Sequence, residues 1–179
     1  VLFRSEDTRL NPVQRQDFHH IAIMGRPPKE LATRAEPFAA HPHVFVAPVK
    51  HPLAQGETLA PGDLQGQPFI LREPGSGTRA ALERFLSSAR VEPRVTMEMA
   101  SNETIKQAVM AGMGLSFLSL RTVRHELASG HIALVDITGM PMVGNWYVTH
   151  LLHKRLAPAA QAFKAFLIEQ GGPLIDSWA

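Results

Sequence analysis

The sequence predicts an α/β fold in two lobes. From residue 69 onward, apolar runs of strand length alternate with segments of helical period, the pattern of β-α-β units sharing a mostly parallel sheet. Fourteen prolines and thirteen glycines cut the chain into short elements, as a fold of many turns requires. Two strand candidates, His43–Pro48 and Asn145–His153, bracket the middle of the chain. That bracketing places one lobe as an insertion within the other.

The elements follow in order. Residues 1–17 show no apolar period and are either unassigned or a non-native leader, the VLFRS start reading as a cloning or sequencing scar. His20–Met24 is a strand, stopped by Gly25-Arg26-Pro27-Pro28, where the prolines keep a helix from starting. His43–Pro48 is an apolar strand, and Pro52 to Gly66 is an irregular connection with one helical turn. Phe69–Arg72 is a third strand. Ser76 then caps a helix whose apolar face is Leu82, Phe85, Leu86 and Ala89, at i, i+3, i+4 and i+7.

Arg94–Ala100 alternates, with Val95, Met97 and Met99 on one buried face. Ser101 or Asn102 caps the next helix. Glu103 suits its dipole, Ile105, Ala108 and Val109 face inward, and Gly112 and Gly114 end it. Leu115–Leu120 is apolar throughout, as a strand covered on both faces would be. A short helix over Thr122–Ala128 and a strand over Ile132–Ile137 follow. Pro158 opens a last helix, which carries Ala159, Ala162, Phe163, Phe166 and Leu167 on its buried stripe. Gly171-Gly172-Pro173 should stop it and leave a loose tail.

Composition removes several functions. The chain has no cysteine, which removes disulfides, thiolate metal sites and cysteine nucleophiles together. Basic residues number 18 against 16 acidic, a net charge of +2, and they form no block or basic stripe of the kind that binds nucleic acid. No run approaches the ~18 apolar residues of a membrane span. There is no phosphate-binding G-x-x-x-x-G-K-S/T loop, no G-x-G-x-x-G and no G-x-S-x-G elbow. His41 with His43, and His150 with His153, are the only histidine pairs that suggest a metal. No carboxylate completes either set, so no metal and no cofactor is expected.

Two segments carry the candidate chemistry. Glu73-Pro74-Gly75-Ser76-Gly77-Thr78-Arg79 lies between a strand and a helix. Ligands of open α/β sheets bind at the carboxyl ends of strands, and a helix N-terminus presents unpaired N–H groups to an anion. Gly75 and Gly77 let the backbone come close, Ser76 and Thr78 add hydroxyls, and Arg79 adds a planar cation. Ser101-Asn102-Glu103-Thr104 repeats the arrangement. Two such ends facing one gap would grip an anionic metabolite, whereas either alone is more often ordinary capping.

Three stretches resemble the effector-binding domain of LysR-type transcription regulators in order and spacing. They are Ala22-Ile23-Met24-Gly25-Arg26-Pro27-Pro28, then Arg72–Arg79, then Ser101 through Gln107 and Ala111-Gly112-Met113-Gly114 to Leu120. The tail from Trp146 through Pro158–Gln170 fits as well. The resemblance covers residues 18–171 and is strongest to regulators of carbon-fixation operons. It implies a type 2 periplasmic-binding-protein-like fold, with two lobes joined by crossing strands near 44–52 and 145–153 and an effector held between them. Lobe I would comprise 18–52 and 145–171, lobe II 53–144, and the tail 172–179.

Against that pattern the opening part of the first lobe is missing, as is the helix-turn-helix domain through which the family contacts promoter DNA. Weak or absent effector binding is therefore expected of this chain alone. The resemblance implies effector contacts at Gly75, Ser76, Gly77, Thr78, Arg79, Ser101, Asn102, Glu103 and Thr104, bordered by Gly25 and Arg26 from the first lobe. It also implies a sugar phosphate, dicarboxylate or nicotinamide nucleotide as effector, self-association as dimer or tetramer, a cytoplasmic location and no catalysis. The rivals are a solute-binding transport protein of the same fold, which needs an export signal, and an enzyme on this scaffold. An enzyme needs an acid and base paired in the site, and the sequence offers no convincing pair.

Overall fold

The computed structural model describes residues 2–3, 21–25, 27 and 31–177. It divides into two compact units, Pro42–Val143 and the flanking segments Val1–His41 with Gly144–Ala179. Two long strands are shared by both units, β3 (Thr33–Pro48) and β8 (Met142–Leu151).

In the flanking unit, β1 (Leu2–Phe3) pairs in parallel with β2 (Ala22–Met24), and β2 pairs antiparallel with β8, Ala22 opposite Thr149 and Met24 opposite Tyr147. The first part of β3 lies on the other side of β8. The closing helix of the chain, Pro158–Ser177, packs Leu167 against Ile21 and Val148, with Phe38, Ala160 and Phe163 around them. This helix runs on through Gly171-Gly172-Pro173 instead of stopping there. A Cβ on Gly171 would sit 2.6 Å from Phe38 Cδ2, and one on Gly172 would sit 3.1 Å from the Phe38 carbonyl oxygen. These glycines give the sheet room to approach, and Pro173 removes one N–H without breaking the helix.

In the central unit the sheet order is β7-β3-β6-β4-β5. Its strands are β4 (Pro68–Arg72), β5 (Arg94–Met99), β6 (Leu115–Ser119) and β7 (Ile132–Val135). β5, β4 and β6 are mutually parallel, while β3 runs antiparallel to both β6 and β7. The sheet is therefore mixed, not mostly parallel. Parallel neighbours need a helical crossover, which α1 (Gly77–Ala89) supplies between β4 and β5 and α2 (Asn102–Met110) between β5 and β6. Crossovers of this kind set β4 and β5 side by side with their carboxyl ends at one edge.

Alternation along the strands fills both faces. Phe45 and Ala47 of β3, Phe69 and Leu71 of β4, and Leu115 and Phe117 of β6 pack on Leu82 and Leu86 of α1. Val44, Val46, Ile70 and Leu118 point the other way, onto Ile105, Ala108 and Val109 of α2 and Val123 before α3 (Arg124–Ala128). All five residues of β6 are buried as a result, as its apolar run predicts. The closing helix Pro158–Ser177 is α4.

Several expected elements differ in extent. β3 begins at Thr33, ten residues before the expected His43, because Pro37 and Pro42 disguise the strand in the sequence while leaving its extended geometry intact. Two 3-10 turns, Pro52–Ala54 and Pro61–Leu64, replace the single turn expected before β4. The expected buried face of β5 is incomplete, since Val95 is 48% exposed while Met97 and Met99 pack against the α2 side. β5 is the edge strand, and cover is present only toward its carboxyl end. His20 and residues 4–17 lie outside the described residues.

Candidate effector site at two helix tips

β4 ends at Arg72 and β5 at Met99, and the two residues are register partners. Glu73 continues the pairing, its N–H donating to the Met99 carbonyl at 3.2 Å. The chain then turns through Glu73-Pro74-Gly75, closed by the Ser76 N–H donating to the Glu73 carbonyl at 3.2 Å. Gly75 holds φ +97, a conformation that glycine reaches without steric cost.

Both helices that follow are capped by serine. Ser76 is extended, with φ −61 and ψ 135, and its hydroxyl accepts from the Arg79 N–H at 3.4 Å. Ser101 does the same for the Thr104 N–H, also at 3.4 Å. The remaining first-turn N–H groups of α1 and α2 therefore emerge at one edge of the sheet, where adjacent parallel strands end. Both capped helix starts thus follow the carboxyl ends of adjacent parallel strands within the central unit.

A buried arginine joins them. Arg72 is 4% exposed. Its Nε and one terminal nitrogen donate to both oxygens of Glu73, at 2.8 and 2.9 Å. The same terminal nitrogen reaches the Ala100 carbonyl at 3.1 Å, and the other donates to Asn102 Oδ1 at 2.7 Å. A buried guanidinium is tolerable when paired and hydrogen-bonded in this way. Arg72 thus fixes the turn before α1 to the first residue of α2.

Thr78 lies in the first turn of α1 and is buried, with its hydroxyl 3.3 Å from His43 Nε2 on β3. The His43 ring stacks on Phe117, centroids 5.4 Å apart and planes within 12°. Neither His43 nor Arg72 was among the sequence candidates. His43 stood out only as a possible metal ligand, and Arg72 only as the residue before the motif. Their roles depend on partners about 30 residues away, which local spacing does not reveal.

The other candidates are placed as follows. Gly77 opens α1 behind the buried Ser76. Arg79 directs its guanidinium to Glu83 at 2.7 Å, to Glu98 on β5 at 2.8 Å and to the Arg72 carbonyl at 3.1 Å. The hydrogen bond that it donates to Glu83 is the main cause that raises its pKa above the ordinary value. The charge expected to meet an anion is thus already engaged by two carboxylates, and Arg79 braces α1 against β5.

Glu103 is exposed and pairs with Lys106 at 2.8 Å, and hydrogen bonding from Lys106 holds its carboxyl below the usual range. Lys106 also reaches Glu126 of α3 at 2.7 Å. Thr104 is exposed beside Ser101. Gly25 belongs to the flanking unit, where a Cβ would lie 3.2 Å from His41 Nδ1, and Arg26 lies outside the described residues. Among the described residues no group of three or more histidines and carboxylates is close enough to hold a metal, and no helix is long and apolar enough to cross a membrane.

Comparison with known proteins gives concordant matches. The family model described as the LysR substrate binding domain matches residues 5–172. The HTH-type transcriptional regulator CfxR of Cupriavidus necator is 48% identical over 149 residues, 83% of this chain and 47% of that protein. The RuBisCO operon transcriptional regulator of Acidithiobacillus ferrooxidans is 45% identical over 145 residues, 81% of this chain and 47% of that protein. This chain thus spans about half the length of the curated relatives it matches. Among solved structures, the regulatory domain of Synechocystis CcmR in complex with 2-PG superposes with a TM-score of 0.82 at 36% identity, covering 87% of this chain and 74% of that one.

Proposed function

Because the chain belongs to the LysR substrate-binding-domain family, we propose that it is the effector-sensing part of a transcription regulator of the kind that governs carbon-fixation operons. The observation that carries this reading is the pair of capped helix tips at Ser76 and Ser101, held side by side by Arg72. The names of the relatives, all regulators among those compared, favour a sensor over a solute-binding protein or an enzyme.

The effector is a small anionic metabolite, a sugar phosphate, dicarboxylate or nicotinamide nucleotide, received by the first-turn N–H groups of α1 and α2. The complex of CcmR with 2-PG supports an effector of small size. Gly75, Ser76, Gly77, Thr78, Ser101, Asn102 and Thr104 form the receiving edge. Glu103 and Arg79 keep it in place through their ion pairs. In the intact regulator, working in the cytoplasm as a dimer or tetramer on promoter DNA, the effector acts by binding one conformation better than another. It shifts the balance only by that difference in affinity.

The test is Thr78→Val with Thr104→Val in an intact regulator that carries this domain. Promoter binding should persist in a gel-shift assay while transcription stops responding to the metabolite. An unaltered response would refute the assignment.

A further inference from the structure

The start of α1 is anchored at two points. Ahead of the Ser76 cap, Arg72 at the end of β4 grips Glu73 through two bonds. Behind the cap, Thr78 reaches β3, where its hydroxyl shares a hydrogen bond of 3.3 Å with His43 Nε2. β6 lies between β4 and β3 in the sheet, so the anchors come from the strands on either side of it. Both partners in the second anchor are buried, Thr78 at 3% exposure and His43 at 6%. A hydroxyl both donates and accepts, so the bond forms whichever ring nitrogen of His43 carries the proton.

The second anchor acts on the orientation of the helix start. Thr78 is the second residue of α1. A threonine in a helix divides between two side-chain rotamers, because its hydroxyl can also turn back onto the helix backbone. The bond to His43 selects one of them. His43 is itself held from two directions: its ring stacks on the core residue Phe117, and its backbone is paired with Ser119 of β6. The first helical bond of α1 runs from the Ala80 N–H to the Ser76 carbonyl at 3.0 Å and spans Thr78. A rotation of Thr78 would therefore turn the N–H groups of the whole first turn.

We propose that His43 is a positioning residue for the effector. Through Thr78 it holds the first turn of α1 in the orientation that receives an anion. It touches no ligand, and it acts on affinity only through the turn it holds. The proposal rests on the reading of the helix tips as the effector site.

Two variants of His43 test it. His43→Phe keeps the stack on Phe117 and removes the hydrogen bond, whereas His43→Gln keeps a donor and an acceptor close to the place of Nε2. In an intact regulator that carries this domain, with 2-PG as the probe, His43→Phe should raise the concentration for half-maximal transcription about 5- to 10-fold, the loss expected of one hydrogen bond. Promoter binding without 2-PG should not change, and His43→Gln should recover most of the response. A phenylalanine variant that responds like the wild type, or a glutamine variant as impaired as it, would overturn the proposal. A wild-type regulator indifferent to 2-PG would count against the reading of the tips, and the 179-residue chain then decides without an effector. Amide hydrogen exchange at Ala80 should quicken about 5- to 10-fold in His43→Phe and return in His43→Gln. The matching bond of α2, from the Ile105 N–H to the Ser101 carbonyl, should exchange at an unchanged rate. Should His43→Phe fail to fold, Thr78→Val removes the same bond from its other end and should quicken Ala80 alike. An unaltered Ala80, or equal quickening at Ile105, would overturn the proposal.

Discussion

Arg72 donates to Asn102 Oδ1 at 2.7 Å, so the last residue of β4 holds the first residue of α2. The same guanidinium grips Glu73 through two bonds. Arg72→Met should therefore cost more than its packing. Glu73 is partly solvated, so the loss should be about 2 kcal/mol in urea unfolding, below the roughly 3–5 kcal/mol of breaking a fully buried pair. Arg72→Lys should recover little of it, because an ammonium cannot span Glu73 and Asn102 with fork geometry. Full recovery by lysine would reduce Arg72 to a point charge.

Gly114 joins α2 to β6 at φ +147, where a Cβ would lie 2.6 Å from the Pro68 carbonyl oxygen. Two residues earlier, Gly112 has φ +81 and open space around it. Gly114→Ala should destabilise by about 2–3 kcal/mol and Gly112→Ala by only about 1 kcal/mol. Thermal melts of the two variants compare the steric clash with the dihedral penalty. Equal losses would mean that Pro68 yields without cost.

Glu36 is held below its ordinary pKa of 4.5, chiefly by the hydrogen bond from Lys164 and further by Arg34. A lowered carboxylate adds stability above its unfolded value and loses it as pH falls through the folded one. The chain should thus lose stability below about pH 4.5 partly through this group, and Glu36→Gln should flatten that part of the curve. Urea midpoints from pH 6 down to pH 3 measure it. An unchanged slope in the variant would place the acid sensitivity elsewhere.

Thr149 is fully buried on β8, and its hydroxyl has no hydrogen-bond partner among the described residues. Removing an unpaired buried hydroxyl while keeping the shape should be neutral or stabilising by up to about 1 kcal/mol. Thr149→Val should hold or raise the melting temperature. A clear drop would reveal a partner for the hydroxyl.

What the sequence disclosed was local. Ser76 and Ser101 announce helix starts because a cap bonds to a residue three positions away. The stripe of Leu82 and Leu86 and the unbroken run of β6 reveal burial because each follows from its own period. Elements governed by distant partners were hidden. Pro37 and Pro42 masked a 16-residue strand whose extension depends on its neighbours in the sheet. Gly171, Gly172 and Pro173 looked like a stop signal, yet contact with Phe38 overrides local preference. At the site, Thr78 was legible but its partner His43 was not, and the two-bond grip of Arg72 on Glu73 could not be separated from an ordinary strand end.

The serine-capped tips have one more consequence. Each helix end carries roughly half an elementary positive charge, spread over backbone N–H groups, and both ends follow the carboxyl ends of neighbouring parallel strands. Together they offer nearly a full unit of attraction that no side chain supplies. Such a charge has no proton to lose and no amine to acylate. The attraction would stay constant through pH swings that would discharge a histidine, and substitution of surface residues would leave it in place.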